Sequence, residues 1–244
     1  MISATSTKRT GPPPLLLWVM SSIGKKTIVA LSGIALVLFV TGHLLGNMTI
    51  YLGPDWINSY AKHLADLGPM LWVIRFGLLT VVVLHIFFTM LLWKENQSAR
   101  PQKYVAYDPV KTTVASRTMR LSGLIVLAFI VFHLAHFTVR IIDPSYQHME
   151  TMLDGHEVHD VFKMVVIGFS NPWIVAVYLV GLFLLTLHLS HGIGSLFQTL
   201  GITNRRLHSS LVLFSRAYAW ALFVGYASIP ISILVFGVGR HSVP

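Results

Sequence analysis

The chain alternates between long apolar runs and short polar segments that are mostly basic. A helix needs roughly 20 apolar residues to cross about 30 Å of hydrocarbon. Five runs reach that length, at residues 27–50, 69–93, 119–141, 172–197 and 211–238. The pattern predicts an all-α integral membrane bundle of five transmembrane helices. Residues 1–25 read as a cytoplasmic tail with a short interfacial segment. There Pro12-Pro13-Pro14 precede Leu15 to Met20, too short a run for a secretory leader, and Trp18 suits the headgroup level. Residues 26–240 then form one transmembrane domain. Segment 143–163, polar and acidic, is expected to be a solvated loop, with residues 156–160 as a short surface helix.

Charge orients the bundle. Lys8, Arg9, Lys25 and Lys26 precede the first run; Lys94, Arg100, Lys103, Lys111, Arg117 and Arg120 follow the second; Arg205 and Arg206 follow the fourth. The other side carries only Lys62, Arg75, Arg140, Lys163 and Arg240. The excess of Lys and Arg marks the first side as cytoplasmic, so the amino terminus is inside and the carboxyl terminus outside. This use of the basic residues also removes nucleic acid as the explanation of the net charge of +9. Charged residues are 11% of the chain, against about 25% in soluble domains. None of the nine acids lies in mid-span, which argues against a pump built on buried carboxylates. With no cysteine, cysteine-ligated clusters are excluded from this chain.

Two stretches repeat one another. Leu31-Ser32-Gly33 is followed after nine residues by His43-Leu44, and Leu121-Ser122-Gly123 after nine residues by His133-Leu134. An ionisable residue inside a span is a functional-site candidate by default. At 1.5 Å per residue, His43 and His133 lie about 25 and 20 Å beyond the inner edge, and His85 and His188 about 13 and 15 Å. The four form an outer and an inner pair. Facing imidazoles on a bundle's helices can fill both axial positions of a haem iron. Gly33 and Gly123 fall near the inner level and offer room beside a porphyrin, although small residues in spans also serve plain packing. His136 and His191, each three residues after a candidate, leave the choice of ligand open by spacing alone; His133 completes the duplicated pattern. Arg75 lies near the outer haem level, placed to neutralise a propionate.

The sequence resembles the cytochrome b membrane anchor of succinate:quinone oxidoreductases (succinate dehydrogenase and fumarate reductase), of the type with one five-helix anchor and two haems. The resemblance is carried by Ser21-Ser22-Ile23-Gly24-Lys25-Lys26, Gly42-His43-Leu44-Leu45-Gly46-Asn47, Asn58-Ser59-Tyr60-Ala61, Ala99-Arg100-Pro101 with Tyr104, Ser116-Arg117-Thr118-Met119, Phe132-His133-Leu134 and His188-Leu189-Ser190-His191-Gly192. It implies two haems b, with His43 and His133 ligating the distal one and His85 and His188 the proximal one. It implies a flavoprotein subunit, an iron–sulfur subunit and a membrane quinone, menaquinone or ubiquinone, as partners in respiratory complex II. Residence would be in the cell inner membrane, and the whole complex is compatible with a homo-oligomer. Arg120-Leu121-Ser122-Gly123 with Ser116 matches the form of an inner quinone site, with Arg120 alternatively serving a propionate. Asn47, Lys62 and Asp66 are an outer alternative. The direction, succinate oxidation or fumarate reduction, does not follow.

Two rivals share part of the pattern. A dihaem anchor of a hydrogenase, formate dehydrogenase or nitrate reductase would show paired histidines too. A haem-free transporter of inverted-repeat type would show broken helices in matching halves, whereas the repeat here runs in parallel.

Overall fold

The computed structural model describes residues 11–99 and 118–243. Five of its helices are long and apolar enough to cross a membrane: Ser22–Leu52, Pro69–Ser98, Met119–Thr138, Pro172–Thr199 and His208–Phe236. We number the elements in chain order. Helix α1 is Pro14–Met20, α2 Ser22–Met48, α3 Pro54–Asp66, α4 Pro69–Ser98 and α5 Met119–His133, the last continuing as a π-helical turn over Leu134–Thr138. Strands β1 (Glu150–Leu153) and β2 (His156–His159) precede α6 (Val161–Phe169), α7 (Pro172–Thr199) and α8 (His208–Phe236).

Helix starts follow their local chemistry. Pro opens α3, α4 and α7 at the first turn, where its missing N–H would be unpaired anyway. Ser21 caps α2 by accepting from the Gly24 N–H, and Asn171 caps α7 by accepting from Trp173. The third span stops sooner than residue 141. Its last turn widens into the π form, and Arg140 takes a left-handed φ of 61°, which turns the chain out of the helix.

Segment 143–163 is more structured than a solvated loop. The expected surface helix at 156–160 is instead strand β2, paired antiparallel with β1 from Glu150 opposite His159 to Leu153 opposite His156. The turn between them uses Asp154 and Gly155, both at positive φ, so hairpin chemistry prevails over helix here. Helices α3 and α6, absent from the five-run pattern, flank this hairpin. Asn58, 2% exposed, joins them: its amide donates to Asp160 Oδ1 and its carbonyl oxygen accepts the Phe162 N–H. Asp160 also accepts from the Lys163 N–H, so two of the orphan donors opening α6 are satisfied. α6 then buries Phe162, Val165, Val166 and Phe169 against Ile50, Ile57, Tyr178, Ile229 and Ile233.

The principal helix pairs are α2 with α4, α5 with α7, and α7 with α8, while α2 also touches α7 and α8. Lipid tails supply no hydrophobic drive between spans, so close packing and small residues decide these pairings. Gly181 of α7 lies where any Cβ would meet the Phe129 ring of α5, and Gly225 of α8 sits 2.8 Å from Leu44 by the same measure. α4 is the outlying span. Only 6% of its most apolar window is buried, against 33% for α7 and for α8. At the end of the bundle away from the hairpin, Lys25, 4% exposed, pairs with Glu95 from α4. A buried ammonium among spans requires such a partner.

Candidate haem-binding site

Four histidines from four spans meet as two facing pairs. His43 of α2 and His133 of α5 have ring centroids 5.8 Å apart, at 78°. His85 of α4 and His188 of α7 have centroids 6.5 Å apart, at 66°. A metal bonded to two imidazole nitrogens at about 2 Å each holds the ring centres roughly 6 to 6.5 Å apart; the His85/His188 pair has that spacing, and the His43/His133 pair is slightly closer. Helices that make few contacts with each other carry each pair, so the histidines meet across slots between the helix pairs.

The serines of the duplicated motif stand behind the second pair. Ser32 Oγ lies 3.1 Å from His85 Nδ1 and donates to the Ile28 carbonyl at 2.7 Å. Ser122 Oγ lies 3.5 Å from His188 Nδ1 and donates to the Met119 carbonyl at 3.0 Å. A hydroxyl whose proton is engaged on its own helix can only accept from the ring. That assigns the proton to Nδ1 in both histidines and leaves each Nε2 lone pair free for a metal. The glycines of the motif complete the arrangement. A Cβ at Gly33 would stand 3.6 Å from His85 Cε1, and one at Gly123 only 3.2 Å from His188 Cε1. Each Ser-Gly step therefore seats the histidine of a neighbouring span.

The first pair is enclosed differently. Phe39 stacks on His43 with centroids 5.5 Å apart, and Tyr226 lies 6.2 Å away on α8. Tyr178 of α7 places its hydroxyl 3.2 Å from His133 Nδ1. His136 does not face His43. It is 1% exposed, with Nδ1 3.0 Å from the same Tyr178 hydroxyl and Nε2 3.4 Å from that of Tyr146. Both its nitrogens are engaged, so of the two candidates on this span only His133 presents a free nitrogen to His43. Burial and then Asp143 push the Tyr146 phenol up to about 12, so it stays neutral near pH 7. His191 makes no ring contact or side-chain hydrogen bond among the described residues.

Charged and polar groups at the two levels fall as follows. Arg120 lies over the Trp93 ring, 5.0 Å from its centroid, and Trp93 Nε1 is buried with no partner. Arg75 lies over Trp72 at 5.0 Å. At the hairpin end Arg140 Nε and His159 Nε2 are also buried without partners. Burial and then the Arg75 charge lower the Arg140 pKa; burial and then Arg140 lower that of His159. Among the described residues Arg75, Arg120 and Arg140 pair with no carboxylate, which suits an acidic group brought in from outside. Ser116 lies outside the described residues. Of the outer alternative, Asn47 donates to the His43 carbonyl and Lys62 pairs with Asp66 one turn along α3.

The model of one protein family, the succinate dehydrogenase/fumarate reductase transmembrane subunit, matches residues 94–235, more than half of the chain. The chain belongs to this family. It is therefore a multi-pass membrane protein and a subunit of an oxidoreductase complex of that kind. The match spans α5 to α8 and includes His133 and His188, while His43 and His85 lie ahead of it. No curated protein and no solved structure matches. Of the groups at this family member's site, Ser32, Tyr146 and Tyr178 were not singled out by sequence reasoning. The signal for Ser32 was present, since it is repeated with Gly33 as Ser122 is with Gly123. Tyr178 and Tyr146 carry no such signal.

Proposed function

We propose that this chain is the two-haem anchor of a succinate:quinone oxidoreductase, carrying electrons between an iron–sulfur subunit and membrane quinone. One observation carries the reading: two facing imidazole pairs on four spans, each close to the separation of two ligands on one shared metal ion. Family membership supports it, because succinate dehydrogenase/fumarate reductase anchors commonly bind haem b and quinone beside flavoprotein and iron–sulfur subunits. It also sets aside the hydrogenase, formate dehydrogenase and nitrate reductase alternatives.

His85 and His188 would hold the proximal haem, and His43 and His133 the distal one. Each haem supplies a one-electron iron couple. The protein's part is to bind, orient and insulate. Ser32 and Ser122 hold Nδ1–H of the proximal ligands, and Gly33 and Gly123 let the Cε1 edge of those rings come close to the neighbouring helix. Arg120 with Trp93, and Arg75 with Arg140 and His159, would receive the propionates at the two levels. Ser116 and Arg120 are the candidates for the quinone. The amino terminus is cytoplasmic and the carboxyl terminus outside, residues 1–25 being the tail and 26–240 the anchor domain of an inner-membrane protein. The basic end that carries Lys25, Lys26, Arg205 and Arg206 would then face the soluble subunits.

The test is haem stoichiometry in the purified complex, by pyridine haemochromogen and reduced-minus-oxidised spectra. Two haems b per chain are expected. His85→Ala or His188→Ala should each remove one, and His43→Ala or His133→Ala the other. Retention of both haems in His188→Ala would overturn the assignment.

A further inference from the structure

The groups behind His133 form a chain of hydrogen bonds that haem binding by itself does not require. The Tyr178 hydroxyl touches Nδ1 of both His133 and His136, at 3.2 and 3.0 Å, and Nε2 of His136 lies 3.4 Å from the Tyr146 hydroxyl. All of it is sealed: Tyr178 is 5%, Tyr146 3% and His136 1% exposed. The rings of Phe132, Phe137 and Phe169 pack around it. His136 lies inside the π-helical turn, closed by the Val139 N–H on the Leu134 carbonyl. Such turns within α-helices are rare and often mark functional positions.

One placement of the protons runs through all three contacts in a single direction. If His133 gives its Nε2 to iron, its Nδ1 carries the proton and donates to the Tyr178 oxygen. The Tyr178 proton then goes to the other neighbour of that oxygen, Nδ1 of His136, which must be the accepting nitrogen. His136 in turn carries its proton on Nε2 and donates to the Tyr146 oxygen. Each of the three contacts then has one donor and one acceptor, with no charge buried, and only the Tyr146 hydroxyl proton, at the end of the chain, goes without a partner within it.

We propose that Tyr178, held by His136, is a positioning residue for the haem at the hairpin end: it fixes the tautomer and ring plane of His133 and raises the basicity of its metal-binding nitrogen. The proposal rests on the reading of His133 as an iron ligand. A phenol whose own proton is engaged by an imidazole is a stronger acceptor than a free one. A hydrogen bond accepted from the non-ligating nitrogen makes the ligand a better donor. A better donor favours the ferric over the ferrous state, and so lowers the midpoint potential of that haem. His85 and His188 lean on serine hydroxyls instead, so one family of ligand is tuned in two ways within one chain.

The experiment uses the purified complex with both haems bound, read by redox titration and by the low-spin ferric EPR signals. Tyr178→Phe should raise the midpoint of one haem, the one lost in His133→Ala, and move its EPR signal while the other stays in place. His136→Leu should act in the same direction. His136→Asn, whose amide can accept where Nδ1 did, should return both readouts towards wild type. Unchanged midpoints and signals in Tyr178→Phe, with His133→Ala still losing one haem, would overturn the proposal and leave the ligand assignment standing. Retention of both haems in His133→Ala would overturn the ligand assignment, and the proposal with it. If Tyr178→Phe loses the haem outright, the His136 pair decides: a difference between Leu and Asn supports the proposal, and identical behaviour overturns it.

Discussion

At the end of the bundle marked by the Lys25–Glu95 pair, each facing histidine leans on a single serine from a neighbouring span. At the hairpin end His133 leans on a tyrosine that is locked by two further rings, under a lid made by the hairpin, α3 and α6. The serine sites are copies of one another, because one short motif recurs on α2 and α5 and each copy serves the helix beside it. The tyrosine site has no copy. It is assembled from α5, α7 and the segment between them, which lies close in space only after the spans have packed. Repetition builds a pair of like supports; a lid built once makes the two ends of the molecule unequal.

Crowding of the serine-end histidines should give the largest effect. A bare Cβ at Gly123 already comes within 3.2 Å of His188, so Gly123→Val would drive two further methyl groups towards the ring. Overpacking of that kind costs about 1–3 kcal/mol. The expected outcome is loss of the His85/His188 haem with the other retained, measured by haem content and spectrum. Gly33→Val, where the same approach is 3.6 Å, should weaken occupancy less. Full occupancy in both variants would reduce these glycines to ordinary helix packing.

Removing the serine hydroxyls should have a smaller effect. Ser32→Ala and Ser122→Ala each delete one hydrogen bond worth about 0.5–1.5 kcal/mol, and so should shift the EPR signal of that haem without losing it. The Ser32 contact is the shorter, 3.1 Å against 3.5 Å, so Ser32→Ala should shift it further. Equal movement of both haem signals would mean that the two ends are not independently supported.

The smallest effect concerns pH at the lid. Burial, followed by the charge of Arg140, holds the His159 pKa below its ordinary value, against the opposing pull of Met149 backbone, Asp160 and Glu150. The unfolded side chain takes up a proton near pH 6.5, whereas the packed one resists it. The lid therefore keeps its full stability above about pH 6.5 and loses some as the pH falls below that value. The protection factors of the β1 and β2 amides, corrected for the intrinsic pH dependence of exchange, should fall on going from about pH 7.5 to about pH 5.5, and His159→Phe should flatten the change.

Much of this was readable along the chain. The five spans follow from apolar length, and observed and expected limits agree within about five residues, the third span ending early ahead of Arg140. Depth along each span also paired His43 with His133 and His85 with His188, because helix rise is constant and the polar flanks mark both membrane edges. Segment 143–163 was misread: its acidic composition suggested solvent, but Asp154-Gly155 makes a hairpin turn. α6 went unnoticed, since nine residues are too few to span and too apolar to look like a loop. The choice between His133 and His136 needed coordinates, because three residues along a helix leave both on nearby faces.

By itself, the sequence determined what one-dimensional quantities can determine: span number and length, the basic side of the bundle, and the level of each histidine. Those depend on residues counted along a helix of fixed rise in a slab of fixed thickness. Only the tertiary structure decided which face each imidazole presents, which hydroxyl holds its second nitrogen, and that the two ends are built differently. Those depend on rotation about the helix axes and on contacts such as Ser32 with His85 or Tyr178 with His133, between residues 53 and 45 positions apart in the chain. No periodicity along the chain records such contacts.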